Sequence, residues 1–441
     1  MPVKTIPLAF FLLLAALGVK SQEMDAKRLD AYFRVLDSAG RYMGGAAVLK
    51  DGRPVYNRSV GYADIESGRK ADERTRYRIG SITKTFTAVM VMKTVEAGRL
   101  SLDQTLDRWF PTIRNAGHIT VRHLLSHRSG IHNFTDAPSY LKWNTQARTR
   151  QQLLDTLSAQ PSDFEPGSKF SYSNSGFVLL TFLLEDVWGR PYGDLLKKMI
   201  LKPARLKETR YGVGMSASEN EARSYRKLFG KWVRQSETDP SIPLGAGAIV
   251  STPSDIARFG QRLFSGRLVS QASLDQMTTM QGTVGLGLFR IPFYDRQAYG
   301  HGGNIDAFQS TFGFFPKDGV SFSLISNASA VVNNDVTIAV LSAVFGKPFN
   351  LPDYRVVELT PKESQVYTGV YSSVSLPMRI TVSVKGDRLM AQATGQASFA
   401  LTPHGDHRFS NEAAGIDMVF TPAKGEMTLS QAGARYLFKR E

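Results

Sequence analysis

The stretch Ser81-Ile82-Thr83-Lys84-Thr85-Phe86-Thr87-Ala88-Val89-Met90-Val91-Met92 opens the strongest helical pattern in the chain, over residues 81–97. Gly98 stands where a left-handed residue ends a helix. The first turn carries a hydroxyl and an amine, Ser81 and Lys84, at a spacing that a helix stacks on one face. That spacing alone says little, because Ser-x-x-Lys occurs four times, at Ser67, Ser81, Ser139 and Ser224. Only Ser81 opens a long apolar helix. There its Oγ sits at the positive end of the helix dipole, beside N–H groups free to bind an oxyanion. Lys84 is then in reach to take or relay the Ser81 proton, although a plain helix N-cap would also account for a serine here.

Residues 24–36 before this stretch have helical spacing through Leu29, Phe33 and Leu36. Residues 46–49 and 55–62, joined at Asp51-Gly52, form a predicted β-hairpin. After it, residues 100–240 are expected to be helix-rich, broken by loops such as Phe164-Glu165-Pro166-Gly167. Strand patterns return at 308–315 and 320–326 around Pro316-Lys317-Asp318-Gly319, and Asn334 or Asp335 is the expected cap of a helix reaching Phe345, stopped by Gly346 and Pro348. The expected fold class is α/β (α+β): one antiparallel sheet built from both ends, helices on its faces, and an inserted helical lobe that leaves a cleft for an active site. From residue 362 short β-type runs follow, at 366–371, 380–384, 389–392, 399–401, 418–420 and 427–429, with tight turns at Lys385-Gly386-Asp387 and Lys424-Gly425-Glu426. Even spacing of short strands predicts a small all-β barrel over 362–441, after a main unit over 22–350 and a linker over 351–361.

A length of 441 residues exceeds what one hydrophobic core supports, which agrees with two units. Hydrophobic residues at 42% and charged residues at 21% are near globular averages and exclude a largely disordered chain. The absence of cysteine excludes disulfides, thiolate metal sites and a cysteine nucleophile. The net charge of +15 comes without zinc-finger spacing, an RNA-binding aromatic signature or a basic heptad helix. Attraction to anionic surfaces such as a cell envelope is therefore expected, and no nucleic-acid partner. At the N-terminus Lys4, an apolar run over 8–19 and Lys20-Ser21-Gln22 have the pattern of a secretory signal, with cleavage after Ser21. The run is short for a membrane span, so a periplasmic or secreted protein is expected, a retained anchor being the alternative.

Two further elements carry chemistry. Phe170-Ser171-Tyr172-Ser173-Asn174 contains the chain's one Tyr-x-Asn triplet. A tyrosine near a lysine ammonium has its ionised form favoured and can act as a general base, while Asn174 offers a donor and an acceptor to a substrate amide. Tyr299-Gly300-His301-Gly302-Gly303-Asn304 places three glycines where a ligand can approach the backbone, on a strand edge able to supply an oxyanion donor.

Taken together, Ser81-Ile82-Thr83-Lys84, Tyr172-Ser173-Asn174 and His301-Gly302-Gly303 follow the order of the serine β-lactamase and penicillin-binding-protein superfamily. The Tyr-x-Asn and His-x-Gly forms resemble class C β-lactamase relatives, D-alanyl-D-alanine carboxypeptidases of that branch, esterases and D-aminopeptidases. Residues 119–130, Gly245-Ala246-Gly247 and 251–255 are similar to the same family, and the resemblance spans residues 25–346. The tail resembles the lipocalin-like domain appended to such hydrolases. The resemblance implies an acyl-enzyme on Ser81, proton handling by Lys84 and Tyr172, and an oxyanion hole from the N–H groups of Ser81 and Asn304, with Gly302 and Gly303 beside it. It also implies that Asn174 holds the acyl-side amide. His301 stands where the family has a lysine. A fixed ammonium favours a substrate carboxylate and a neutral histidine does not, so peptidase or esterase chemistry is expected ahead of β-lactam hydrolysis.

His123 and His127 have i, i+4 spacing without the glutamate of a zincin, and are expected as a helix-face pair. His404 and His407 flank Gly405-Asp406 and are expected in a solvated turn rather than a metal site. No Gly-x-Ser-x-Gly elbow, phosphate loop or dinucleotide fingerprint occurs, so no cofactor is implied. The expected partner is a small-molecule or peptide substrate, such as one derived from the cell wall. The competing expectation is a non-catalytic envelope protein that binds peptidoglycan or a partner through the same fold.

Overall fold

Helix α1 (Ala26–Ser38) starts where Asp25 accepts the N–H of Arg28, and it buries Leu29, Phe33 and Leu36 as their spacing predicts. The structure, a computed structural model, describes residues 24–441 except 213, 229, 412, 413, 432 and 433. The expected signal peptide, residues 1–21, lies outside the described residues.

Strands β1 (Tyr42–Lys50) and β2 (Arg53–Val60) form the predicted hairpin. It ends two residues early. Gly61, at φ 77°, turns the chain against Met43, so Tyr62–Asp64 pairs with Arg69–Lys70 in a ribbon of its own. Helices α2 (Thr83–Glu96), α3 (Asn174–Trp188) and α4 (Pro253–Phe264) follow, then strands β3 (Phe289–Phe293), β4 (Arg296–Ile305), β5 (Phe308–Phe315) and β6 (Val320–Ser329) and the last helix of the large unit, α5 (Asn333–Phe345). The sheet order β3-β4-β5-β6-β1-β2 is antiparallel throughout and joins the two ends of the unit.

The faces of this sheet differ. Phe322 and Leu324 of β6 and Ala46 and Val48 of β1 pack under α1 and α5. On the other side small residues let α4 come close: Ser321 donates its hydroxyl to the Ala257 carbonyl, and a Cβ on Gly260 would meet Ser321 Oγ at 2.7 Å. Beyond α4 lies the larger core, where Phe86 of α2 stacks on Phe259 at 3.7 Å between ring centroids. The inserted lobe is helical up to Ala204, but Tyr225–Leu228 and Lys231–Arg234 form a hairpin that joins the sheet at Ala328. The helix-rich reading of 100–240 missed it, although the pair alternates exposure around Gly230, at φ 78°.

Helix α5 departs from expectation at its start. Val332 holds the cap position without a side-chain bond, and Asp335 pairs instead with Arg435 of the C-terminal unit. Its stop is as predicted, on Gly346 at φ 58°. Phe349, Leu351 and Tyr354 then lie against the α1/α5 layer.

The C-terminal unit is a nine-stranded antiparallel sheet whose two edge strands, Phe399–Ala400 and Thr402–Pro403, are separated by Leu401 alone, so the sheet nearly closes on itself. Alternating residues such as Ile380 and Val382 fill its interior with Tyr371, Phe409, Met418, Phe420 and Phe438. Strands Arg408–Asn411 and Ala434–Arg440 were not foreseen, because polar residues interrupt their apolar pattern. His404 is buried, against the expected solvated turn: Tyr354 O lies 3.0 Å from Nδ1 and Ser410 Oγ 2.8 Å from Nε2. Tyr367 Oη likewise lies 2.8 Å from His407 Nδ1. A cleft of about 900 Å³ separates this unit from the end of the large sheet, with Asn304, Asp306 and Phe308 on one wall and Arg408, Asp417 and Thr428 on the other.

Candidate active site

The α-helix begins at Thr83, after a single 3-10 turn over Gly80–Ile82 that contains Ser81. Ser81 caps neither element with its side chain, so the N-cap explanation does not hold. Its Oγ lies 3.0 Å from Lys84 Nζ.

Lys84 is completely buried, and its other two neighbours are acceptors: Asn174 Oδ1 at 2.7 Å and Ala246 O at 2.8 Å. Burial holds its amine well below the usual lysine range. A neutral amine has two N–H groups and one lone pair. With both N–H groups on Asn174 and Ala246, the lone pair is left for the Ser81 hydroxyl proton. The arrangement can therefore deprotonate Ser81 without an additional base.

Tyr172 lies over this amine, with Nζ 5.0 Å from its ring centroid. Burial raises the phenol above its ordinary range, and only the Ser81 hydroxyl acts the other way. This corrects the expectation of a favoured phenolate, because a buried neutral amine gives a phenolate no countercharge. Tyr172 stays a phenol able to pass a proton on. Asn174, the first residue of α3, is committed on all sides. Its Oδ1 receives Lys84, its Nδ2 donates to Asn133 Oδ1 and Thr135 Oγ1, both at 3.1 Å, and its backbone N–H donates to Asn133 Oδ1 at 2.9 Å.

Strand β4 crosses the Ser81 turn with no room for side chains. A Cβ on Gly303 would lie 2.1 Å from Ile79 O, and one on Gly80 would lie 2.9 Å from Asn304 N. Strand β3 pairs with β4 only up to Gly300, so among the described residues no strand covers the β3-side edge of residues 301–304. The backbone nitrogens of Ser81 and Asn304 both lie at this crossing, 3.0 Å from a Cβ placed on Gly303 and 2.9 Å from one placed on Gly80. A buried pair braces it: Arg78, three residues before Ser81, donates to Asp306, two after Asn304, at 2.7 Å. Asp306 also accepts from the Thr238 N–H and hydroxyl at 2.9 and 2.7 Å.

His301 is 3% exposed. Its Nδ1 donates to the Gly302 carbonyl, which leaves Nε2 as a lone-pair acceptor, buried and without a partner among the described residues. Burial lowers its pKa to about 3, so the ring is neutral. The place of the family's ammonium is thus taken by an uncharged acceptor.

The structure brings Ser81, Lys84, Tyr172, Asn174, His301, Gly303 and Asn304 together, with Gly302 supplying the carbonyl that fixes the His301 ring. His127 joins them, against expectation. It lies beyond the helix Val121–Leu125 at φ 56°, buried, with its ring stacked on Tyr172, while His123 closes a capping box with Thr120. Arg78, Asp306, Asn133 and Thr135 were also missed. They are far from the motifs in sequence, and only the fold makes them neighbours.

The Beta-lactamase family model matches residues 29–348. Over its sequence the chain is similar to penicillin-binding protein 4* of Bacillus subtilis strain 168, with 26% identity across 90% of this chain and 93% of that protein. Among solved structures it is similar to a D-stereospecific amidohydrolase from Streptomyces sp., with 31% identity and a TM-score of 0.62 over 72% of this chain and 99% of that one. The D-amino acid amidase of Ochrobactrum anthropi SV3, complexed with L-phenylalanine amide, gives 28% identity and a TM-score of 0.65 over the same shares, 72% and 99%.

Proposed function

Because the chain belongs to the beta-lactamase family and is a serine hydrolase acting on amides or esters, we propose that it cleaves D-amino-acid amides, D-peptides or esters through an acyl-enzyme on Ser81. The observation that carries this reading is the buried Lys84 amine, 3.0 Å from Ser81 Oγ and held by Asn174 Oδ1 and Ala246 O. Ser81 attacks the carbonyl as Lys84 takes its proton. The N–H groups of Ser81 and Asn304 bind the oxyanion, each donor contributing a few kcal/mol, about 3–4. On collapse Tyr172 gives its proton to the leaving nitrogen or oxygen and regains one from Lys84. Water then attacks the ester by the reverse route and releases the acid.

The neutral His301 acceptor supports amide or ester substrates over those presenting a carboxylate beside the scissile bond, so β-lactam hydrolysis is at most weak. We further propose export to the periplasm or exterior on the strength of Lys4 and the apolar run over 8–19; no helix of the described residues is long and apolar enough to cross a membrane. The C-terminal unit, residues 362–441, is proposed as a lipocalin-like barrel that shapes access through the cleft it shares with Asn304. The test is a comparison of kcat/KM for D- and L-phenylalanine amide, p-nitrophenyl acetate and a chromogenic cephalosporin. Turnover of the D-amide and the ester above the cephalosporin is expected. A cephalosporin preferred over both would overturn the substrate assignment.

A further inference from the structure

His127 holds Tyr172 from three sides. Its backbone carbonyl accepts the Ser171 N–H at 2.9 Å, and its Nδ1 accepts the Ser173 N–H at 3.1 Å, so the residues on either side of Tyr172 are both tied to it. Its ring lies on the Tyr172 ring at 4.3 Å between centroids and 27° between planes. The backbone at φ 56° is costly for a residue with a Cβ, and it is what lets carbonyl and imidazole reach the same segment.

The tautomer follows from these bonds. Nδ1 accepts a backbone N–H, so a neutral ring carries its proton on Nε2, which is buried without a protein partner. The charged and titratable groups facing it are Lys84 from α2, His301 from β4 and Tyr172 itself, and burial disfavours a second proton. His301, in T-shaped contact with Phe289, carries the opposite tautomer. A donor from His127 and an acceptor from His301 thus flank the Tyr172 ring.

We propose that His127 is a positioning residue for proton transfer: as a neutral imidazole it fixes Tyr172 where its hydroxyl can protonate the leaving group. The proposal rests on the catalytic reading of Tyr172. It assigns His127 no contact with substrate and no proton of its own to give.

The test compares His127→Asn with wild type, alone and in a Tyr172→Phe background, on D-phenylalanine p-nitroanilide and p-nitrophenyl acetate. Asparagine tolerates the left-handed backbone and keeps an acceptor near Nδ1, but removes the stacked ring. An anilide needs its leaving nitrogen protonated, whereas p-nitrophenolate leaves without help. The expected result is an anilide kcat lowered by about ten- to a hundredfold, with KM and the ester's burst of p-nitrophenolate, which reads acylation alone, little changed. In the Tyr172→Phe background the same substitution should have no further effect. Equal loss on both substrates, or an undiminished loss in that background, would overturn the proposal. Independent of any variant or substrate, ¹⁵N shifts of the histidine-labelled wild-type protein at pH 7 should show His127 neutral and protonated on Nε2; a charged ring or the Nδ1–H tautomer would equally overturn it. Wild-type Ser81 that resists a fluorophosphonate would count instead against the serine-hydrolase reading, with the ¹⁵N result still deciding the state of His127.

Discussion

At the scale of single residues, the site depends on one amine kept neutral by burial. Among the described residues no carboxylate lies beside Lys84; its partners are an amide oxygen, a backbone carbonyl and the Ser81 hydroxyl. The active form is the deprotonated one, and its pKa is lowered, so activity is lost as pH falls through the lowered value and is already complete below the usual lysine pKa of about 10.4. The pH profile of kcat/KM should be level over the mildly alkaline range. A log-linear rise continuing to pH 10 would show an ordinary lysine. His301 and His127 are both held neutral, His301 with its pKa near 3, so neither should add a limb near pH 6.5. Tyr172→Phe keeps the ring against His127 and removes the proton carrier, so amide kcat should fall by about 10²–10⁴-fold with KM little moved. A change in KM alone would make Tyr172 a binding residue.

Between elements, the account depends on where β4 crosses the nucleophile turn. The Arg78–Asp306 pair joins the chain entering that turn to the chain leaving β4, with both side chains almost wholly buried. Asp306→Asn leaves the Arg78 charge without its partner and should cost roughly 3–5 kcal/mol of stability, read from denaturant unfolding. Variants that remain folded should lose kcat, because the two oxyanion donors sit on the joined segments. Stability and kcat both at wild-type level would remove the brace from the account. None of this was legible in the sequence, since Arg78 and Asp306 lie 228 positions apart and neither belongs to a motif. The strands around Pro316-Lys317-Asp318-Gly319, the α2 helix and the three motif segments were legible, because periodicity and turn residues are local properties. His127 was misread for the same reason in reverse: i, i+4 spacing assumes a helix, and this one ends at Leu125.

For the molecule as a whole, the C-terminal sheet has its own interior, and the proposed catalytic elements are complete by Asn304. It touches the large unit through Arg435–Asp335 and Arg41–Asp417 and walls one side of the cleft that reaches Asn304. A chain ending at Thr360 keeps Phe349, Leu351 and Tyr354 on the α1/α5 layer. It should acylate with a small probe at a similar rate while changing its preference among large substrates; a folded truncation inert to the probe would place a catalytic group in the tail. The central claim is that Ser81 is the nucleophile, and intact mass with peptide mapping after fluorophosphonate treatment tests it most directly. The account predicts one adduct per chain, on Ser81, and none in Ser81→Ala. An adduct mapped to another residue, or Ser81→Ala labelled as fast as wild type, would contradict it.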